Sequence, residues 1–431
     1  MIQQLTGRTR QIGKVFSVVQ GNARVIVITE GISSVFFQWY GTYLTLYMLA
    51  LGVSEIEVGL LTSLLIFTQL ISTLFGGYVA DRFGRKLVLV VADIVCWGVP
   101  FALYAVAQNP WYFVIGRFIN GFIYIVMPAF DCLFVEDVEM EHRPAVFGMN
   151  QLLNAAASLL APVAGVMVSA WGMVPAGRVM MASAGAVAVI IAIVRLFTLK
   201  ETSVGRERMS QTAQLSPGAS IREYSAAVVS MVRDQKVRQF LIVRNLAAFA
   251  TTMWATYAVI YLADAKGVGL HESIISLIPF VSSLATILMI LLAADGYRSD
   301  RIYRNLLIGQ VLWLASAVIF LASPQKTIWF ALVATFLSAI YTALYTPASS
   351  SYWANIVGDH ERAQVFSASS TILSLLTLPA APLAGLLYLL WPRAPFCFAA
   401  ALQLVVLGML VGMWKKESGE QRVGKRVMSN Q

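Results

Sequence analysis

Apolar residues run through this chain in long blocks separated by short polar breaks. Twelve blocks can be delimited: 24–50, 56–80, 87–107, 110–134, 144–170, 173–198, 238–263, 273–295, 305–323, 327–354, 363–390 and 394–414. Each is about 20 residues or more, enough for a helix to cross about 30 Å of hydrocarbon. Lipid cannot hydrogen-bond a bare backbone, so blocks of this length are helices. The pattern predicts an all-α membrane protein with twelve transmembrane helices. It divides the chain into a leading segment 1–23, a six-helix bundle 24–198, a polar connection 199–237, a second six-helix bundle 238–414 and a basic tail 415–431. Within the connection, Ser216-Pro217-Gly218 precedes a stretch, 221–233, that places Ile221, Tyr224, Val228, Met231 and Val232 on one face. It reads as a helix lying on the membrane surface, or equally as a linker helix free of lipid.

The two bundles repeat one another. Tyr40, Tyr43 and Tyr47 in the first span match Trp254, Tyr257 and Tyr261 in the seventh. Pro128-Ala129 matches Pro347-Ala348, and Arg143 with Val146-Phe147 matches Arg362 with Val365-Phe366. Ala161-Pro162 and Gly165 match Ala381-Pro382 and Gly385. The offset drifts only from 214 (Tyr43 to Tyr257) to 220 (Ala161 to Ala381), so the halves are pseudo-symmetric bundles of like topology.

Composition supports the membrane reading. Of 431 residues 58% are hydrophobic and 12% charged, about half the charged share of a soluble domain. The net charge is +9. With both termini in the cytoplasm, roughly 25 of the 31 Lys and Arg fall on that side, and Arg178, Lys266, Lys326 and Arg393 lie outside. That is the bias of a multi-pass protein of a plasma or inner membrane, not a nucleic-acid surface. The first block is too long for a cleaved signal peptide, Ile2 excludes myristoylation, and the C-terminus has no prenylation box. Cys96, Cys132 and Cys397 are solitary within apolar blocks, and His142, His271 and His360 sit in separate loops. No disulfide framework or metal cluster is implied. Neither a phosphate-binding loop nor a nucleophile elbow occurs, so no enzyme and no cofactor is expected.

The most polar break in the first half is Gly77-Tyr-Val-Ala-Asp81-Arg82-Phe-Gly84-Arg85-Lys86, and a worn copy, with Gly296, Asp300, Arg301 and Arg304, recurs in the second. The first of these resembles the signature loop of the major facilitator superfamily. Arg117-Phe-Ile-Asn120-Gly121 in the fourth span is similar to that family's second motif, found in proton-coupled members. Ala161-Pro162 with Gly165 resembles a worn antiporter motif in which Ala157, Ala161 and Val166 replace glycines. The resemblance spans about 24–414 and implies a drug/proton antiporter-like secondary transporter. It implies that Gly77 admits helix 11, that Asp81 lies near that helix's positive N-terminus, and that Arg85 meets an acid, Asp131 or Glu136, at the end of helix 4. Together these residues would latch the cytoplasmic side.

Candidate chemistry follows from charges inside the blocks. Arg117, Asn120, Tyr124, Pro128 and Asp131 recur at spacings of three and four, which puts them on one face of an unbroken helix. A cation at the centre of a membrane helix costs about 2.5–3.5 kcal/mol on insertion scales, so Arg117 is expected to face the bundle interior and find a partner. Glu30 corresponds by the repeat to Arg244. Burial disfavours a charged carboxylate and a nearby arginine favours it. Glu30 is therefore the expected carrier of a coupled proton, or of sodium, with Arg117 and Arg244 as exchange partners. A static pair that only holds helices together is the competing reading. Asp93 and Asp131 complete the proton-coupling candidates, and for Asp93, on a peripheral helix 3, a role beside the signature loop is the main expectation and the proton site the alternative. A solute cavity is expected between helices 1, 4, 7 and 10, lined by Trp39, Tyr40, Tyr43, Asn120, Tyr124, Trp254, Tyr257, Tyr341 and Tyr345. Asn150, Gln151 and Asn154 on helix 5 either add hydrogen bonds to it or only join helices. Aromatic walls suit an amphipathic or weakly cationic organic molecule.

These residues point to a monomeric secondary transporter that exports a small amphipathic solute in exchange for protons. A symporter importing a nutrient, and a ligand-sensing receptor of the same fold, are the alternatives.

Overall fold

A computed structural model describes residues 20–136, 138–139, 143–212, 233–292, 302–357 and 362–429. The described residues are helical apart from turns and short connections. Twelve long helical elements account for the twelve apolar blocks. The first half holds α1 (Gly21–Ala50), α2 (Glu55–Phe83), α3 (Arg85–Ala105), α4 (Pro110–Ile125, continued by Met127–Phe134), α5 (Arg143–Ser158, continued by Ala161–Trp171) and α6 (Met173–Thr198). The second half holds α7 (Gln235–Ala263), α8 (Glu272–Ser276, continued by Leu277–Leu292), α9 (Ile302–Leu321), α10 (Trp329–Ile356), α11 (Arg362–Thr377, continued by Ala380–Leu390) and α12 (Ala394–Ser429). Eleven of them carry a stretch apolar and long enough to cross a membrane, counting the two parts of α4 as one. The remaining helix, α1, has 30 residues, about 45 Å at 1.5 Å per residue. Its lower hydropathy comes from Glu30, Ser33, Ser34 and Gln38, which face other helices or cavities.

Local chemistry sets the helix starts. Ser54 and Glu57 form a reciprocal capping box at the start of α2. Asn109 caps α4 ahead of Pro110, whose missing N–H is no loss in a first turn. Asp234 accepts from the amides of Lys236 and Val237 to start α7. Between α2 and α3 the chain turns in one residue, Gly84, at φ 85°, a conformation that a side chain would oppose.

The repeat in sequence is a repeat in packing. α1 packs on α5 and α6 as α7 packs on α11 and α12, and α2 packs on α4 as α8 packs on α10. The halves meet through α2 against α11 and α5 against α8. One apolar core, including Tyr43, Tyr47, Tyr104, Tyr257, Tyr261 and Phe396, runs across both halves at the end where α1 finishes, here the far end. At the opposite, basic end each half has a core of its own: Ile26, Leu89, Leu133 and Phe134 in the first, and Phe240, Leu306, Trp353 and Leu410 in the second. The molecule therefore has two legs joined under one cap.

Hydrogen bonds joining the halves follow the same division. The Tyr257 hydroxyl donates to the Glu55 carbonyl at 2.6 Å, and Tyr43 donates to the Glu272 carbonyl at 3.1 Å. Ser63 donates to the Leu378 carbonyl at 2.6 Å. A Cβ on Gly59 would lie 2.7 Å from the Ala381 carbonyl oxygen, so this crossing admits no side chain.

The polar connection begins with a short helix, Ser203–Thr212, packed against α2. The amphipathic stretch 221–233 lies, apart from Arg233, outside the described residues, as do Gly296, Asp300 and Arg301 of the second loop.

Candidate functional site: a buried charge cluster beside an aromatic cavity

In the first half, one guanidinium serves two carboxylates. Arg195 of α6 donates from Nη1 to Asp93 Oδ2 of α3 at 2.8 Å and from Nη2 to Glu30 Oε1 of α1 at 2.6 Å. Its Nε and Nη2 also reach the Thr29 hydroxyl, at 3.1 and 2.9 Å. Arg195 is 2% exposed and Asp93 6%. Two opposite charges so far from water persist by satisfying one another, and Glu30, half-buried, joins them from the cavity side.

Asp93 reaches the cluster from an irregular turn. Residues Asp93–Gly98 of α3 form a π-helix, a distortion often found at functional positions. Asn120 of α4, itself buried, donates to the Cys96 carbonyl inside that turn at 2.8 Å. Directly after Asn120, α4 tightens into a 3₁₀ turn, Phe122–Ile125, and bends by 43°. Gly121 makes close approach possible there: a Cβ on it would run into Thr68 of α2.

A cavity of about 370 Å³ opens beside the cluster. Glu30, Asp93 and Arg195 lie on its wall, with Phe37, Trp97, Tyr124 and Phe130 as aromatic surfaces. Phe37 stacks on Trp97 with ring centroids 4.7 Å apart. Asn150 also lines it, and its buried Oδ1 accepts no hydrogen bond from any described residue.

A second charged cluster sits at the basic end. Arg85 pairs with Glu136, stands 3.9 Å from Asp81, and donates to the Thr202 hydroxyl at 2.9 Å. Thr202 donates onward to Glu136 at 2.6 Å. Glu201 accepts from the Lys86 amide at 3.0 Å. The first residues of the polar connection are thus built into the signature loop.

The family model of the Major Facilitator Superfamily matches residues 26–295 and 240–428, nearly the whole chain. The chain belongs to the Major Facilitator Superfamily. Multidrug resistance protein 2 of Bacillus subtilis (strain 168) is 22% identical over 375 residues, 87% of this chain and 90% of that protein. Quinolone resistance protein NorA of Staphylococcus aureus (strain MRSA252) is 31% identical over 115 residues, 26% of this chain and 29% of that protein. The crystal structure of the nucleoside transporter NupG superposes with a TM-score of 0.68 at 14% identity, covering 92% of this chain and 100% of that one. This last likeness concerns the fold. The chain is a membrane transporter and not an enzyme.

Within the superfamily fold, several residues expected at the site stand elsewhere. Glu30 is paired with Arg195, not with Arg117 or Arg244. The Arg117 guanidinium lies 3.4 Å from the Tyr40 hydroxyl. Arg244 lies over the Trp353 ring, 5.0 Å from its centroid, and 3.5 Å from the Ser369 hydroxyl. Asp131 is exposed, and Arg85 takes Glu136 instead. The face expected from Arg117 to Asp131 assumed an unbroken helix, and the bend after Gly121 breaks that register. Asp93 stands in the buried cluster with Glu30, where its alternative reading put it, and not beside the signature loop.

The aromatic residues divide. Tyr124 lines the cavity. Tyr43 and Tyr257 are fully buried in the far-end cap. Tyr341 and Tyr345 pack on one another in the core of the second half, centroids 5.0 Å apart. Trp254 packs against Trp313 and Phe396. Tyr40 packs edge-on to Phe101, and Trp39 donates to the Leu160 carbonyl at 3.0 Å. Asn120 is engaged by the π-turn, while Asn154 lines a separate cavity between the halves. In the signature loop Arg82 is exposed and donates to the Tyr78 hydroxyl at 3.0 Å. Arg304 is exposed. Arg195 and Thr202 are not among the residues expected from the sequence: Arg195 stands close to the end of its apolar block, where positive charges commonly flank a span.

Proposed function

We propose that this protein exports small amphipathic organic molecules, weakly cationic ones among them, in exchange for protons by alternating access. The observation that carries the reading is the Glu30–Arg195–Asp93 cluster on the wall of an aromatic cavity. With both carboxylates ionised, the cluster holds one negative charge more than Arg195 balances. A bound proton removes that excess, and so does a solute cation resting in the cavity against the Trp97–Phe37 pair and Tyr124. Two ligands that satisfy one charge deficit compete, and competition is the requirement for exchange. The names of the relatives, multidrug and quinolone resistance proteins, support export.

The two-legged shape supports alternating access. The basic end is read as cytoplasmic by its Lys and Arg, which makes this arrangement the inward-facing one. Closing it would bring α11 onto the loop at Gly77 and Asp81, next to the Arg85–Glu136–Thr202 cluster, while the far-end cap parts. A plasma membrane location with both termini in the cytoplasm goes with this reading.

Proton release on binding tests it. Adding a lipophilic cationic dye to the detergent-purified protein in weak buffer is expected to acidify the solution. The same addition to Glu30→Gln/Asp93→Asn is expected to release nothing. Equal release from both proteins would contradict the assignment.

A further inference from the structure

Glu30 has a counterpart in the second half by position but not by charge. Glu30 and Arg244 are each the tenth residue of their helix, counted from Gly21 in α1 and from Gln235 in α7. Glu30 meets the guanidinium of Arg195. Arg244 meets no carboxylate among the described residues. It is half-buried and stands inside the apolar block 238–263, where a cation is costly unless an opposite charge reaches it.

What surrounds Arg244 is a set of donors short of an acceptor. A guanidinium has five N–H bonds and no lone pair. The one described oxygen that accepts from it is the Ser369 hydroxyl of α11, at 3.5 Å, the long limit of a hydrogen bond. The hydroxyl proton of Ser369 goes to no described residue, although Ser369 is buried. Tyr345 of α10 lies within coulombic range of Arg244, and its buried hydroxyl also donates to no described residue. The Trp353 ring, 5.0 Å away, takes one face of the guanidinium and leaves the N–H edge for a partner in its plane. A cation and two hydroxyl donors without an acceptor are completed by an anion, which accepts charge-assisted hydrogen bonds from all of them.

We propose that Arg244 and Ser369, backed by Trp353 and Tyr345, form a binding site for a monovalent anion, a halide or a carboxylate, inside the second half. The single guanidinium sets the valence, because a dianion would bring one negative charge that nothing described there balances. All four residues belong to α7, α10 and α11 of one bundle, so the site is separate from the cavity beside Glu30 and does not rest on the exporter reading.

Iodide is the probe, because it quenches tryptophan fluorescence and Trp353 stands beside the guanidinium. It is titrated into the full chain in nonionic detergent, with isethionate holding the ionic strength constant. The wild type is expected to show a quench that saturates in the millimolar range, above the linear collisional background of exposed tryptophans. Arg244→Gln is expected to show the linear background alone. Ser369→Ala keeps the cation, so a folding defect in the first variant does not decide the matter; it is expected to bind iodide about tenfold more weakly. Reversal of the quench by chloride identifies a halide as the occupant, and reversal by benzoate at lower concentration identifies a carboxylate; both uphold the site. A purely linear quench in the wild type, a saturable quench that either substitution leaves unchanged, or one that neither chloride nor benzoate reverses overturns it.

Discussion

Replacing Arg195 by Met keeps an unbranched side chain of similar length and removes the one cation that Asp93 and Glu30 share. What remains is two carboxylates and the Thr29 hydroxyl, with Asp93 almost wholly shielded from water. Breaking a buried pair by deleting one partner costs about 3–5 kcal/mol, because the other charge is left uncompensated. The hydrogen bonds to Thr29 are lost as well, but its hydroxyl also reaches the Val25 carbonyl at 2.8 Å, so that loss is minor. Adding Asp93→Asn removes the worse of the stranded charges. The double variant is therefore expected to be more stable than Arg195→Met alone, with an interaction energy of about 1–3 kcal/mol between the two sites. Unfolding of the purified proteins in mixed detergent micelles, run as a double-mutant cycle, measures it. A loss below about 1 kcal/mol for Arg195→Met, the level of an exposed pair, would refute the claim that these charges depend on one another.

Other parts of the structure make their own demands. Gly59→Ala places a methyl group against the Ala381 backbone carbonyl, which cannot swing aside, so the far-end cap is expected to part; a cysteine at Met253, fully buried in that cap, should then react several-fold faster with a maleimide. Thr202→Val removes the hydroxyl between Arg85 and Glu136 and is expected to cost about 1–3 kcal/mol in the same unfolding assay, while no change would mean the polar connection is not part of the loop. Asn120→Leu strands the Cys96 carbonyl inside the π-turn, with a similar expected cost; an unchanged stability would show that the turn does not need this donor.

Helices were legible because lipid leaves a long apolar block no other backbone solution, and the two-fold repeat was legible in matched pairs such as Ala161-Pro162 and Ala381-Pro382. The site was less so, for reasons tied to particular residues. Arg195 stands near the end of its block, where a positive charge reads as a flanking anchor. Only the packing of α6 on α1 turns it inward between Glu30 and Asp93. In α4 periodicity alone carries a face straight through a bend, and so Asp131 was placed with Arg117. Tyr257 fits a cavity wall and a sealed cap equally well by composition. Its hydroxyl on the Glu55 carbonyl, between Gly59 and Gly385, assigns it to the cap.

The central claim is that Glu30 and Asp93 couple solute movement to protons. Wild-type protein reconstituted in liposomes should drive a lipophilic cationic dye against its gradient when a pH difference is imposed, and should stop when the difference is collapsed. Glu30→Gln/Asp93→Asn should still let the dye equilibrate but show no response to the pH difference. Concentrative, pH-driven dye movement by that double variant would contradict the account.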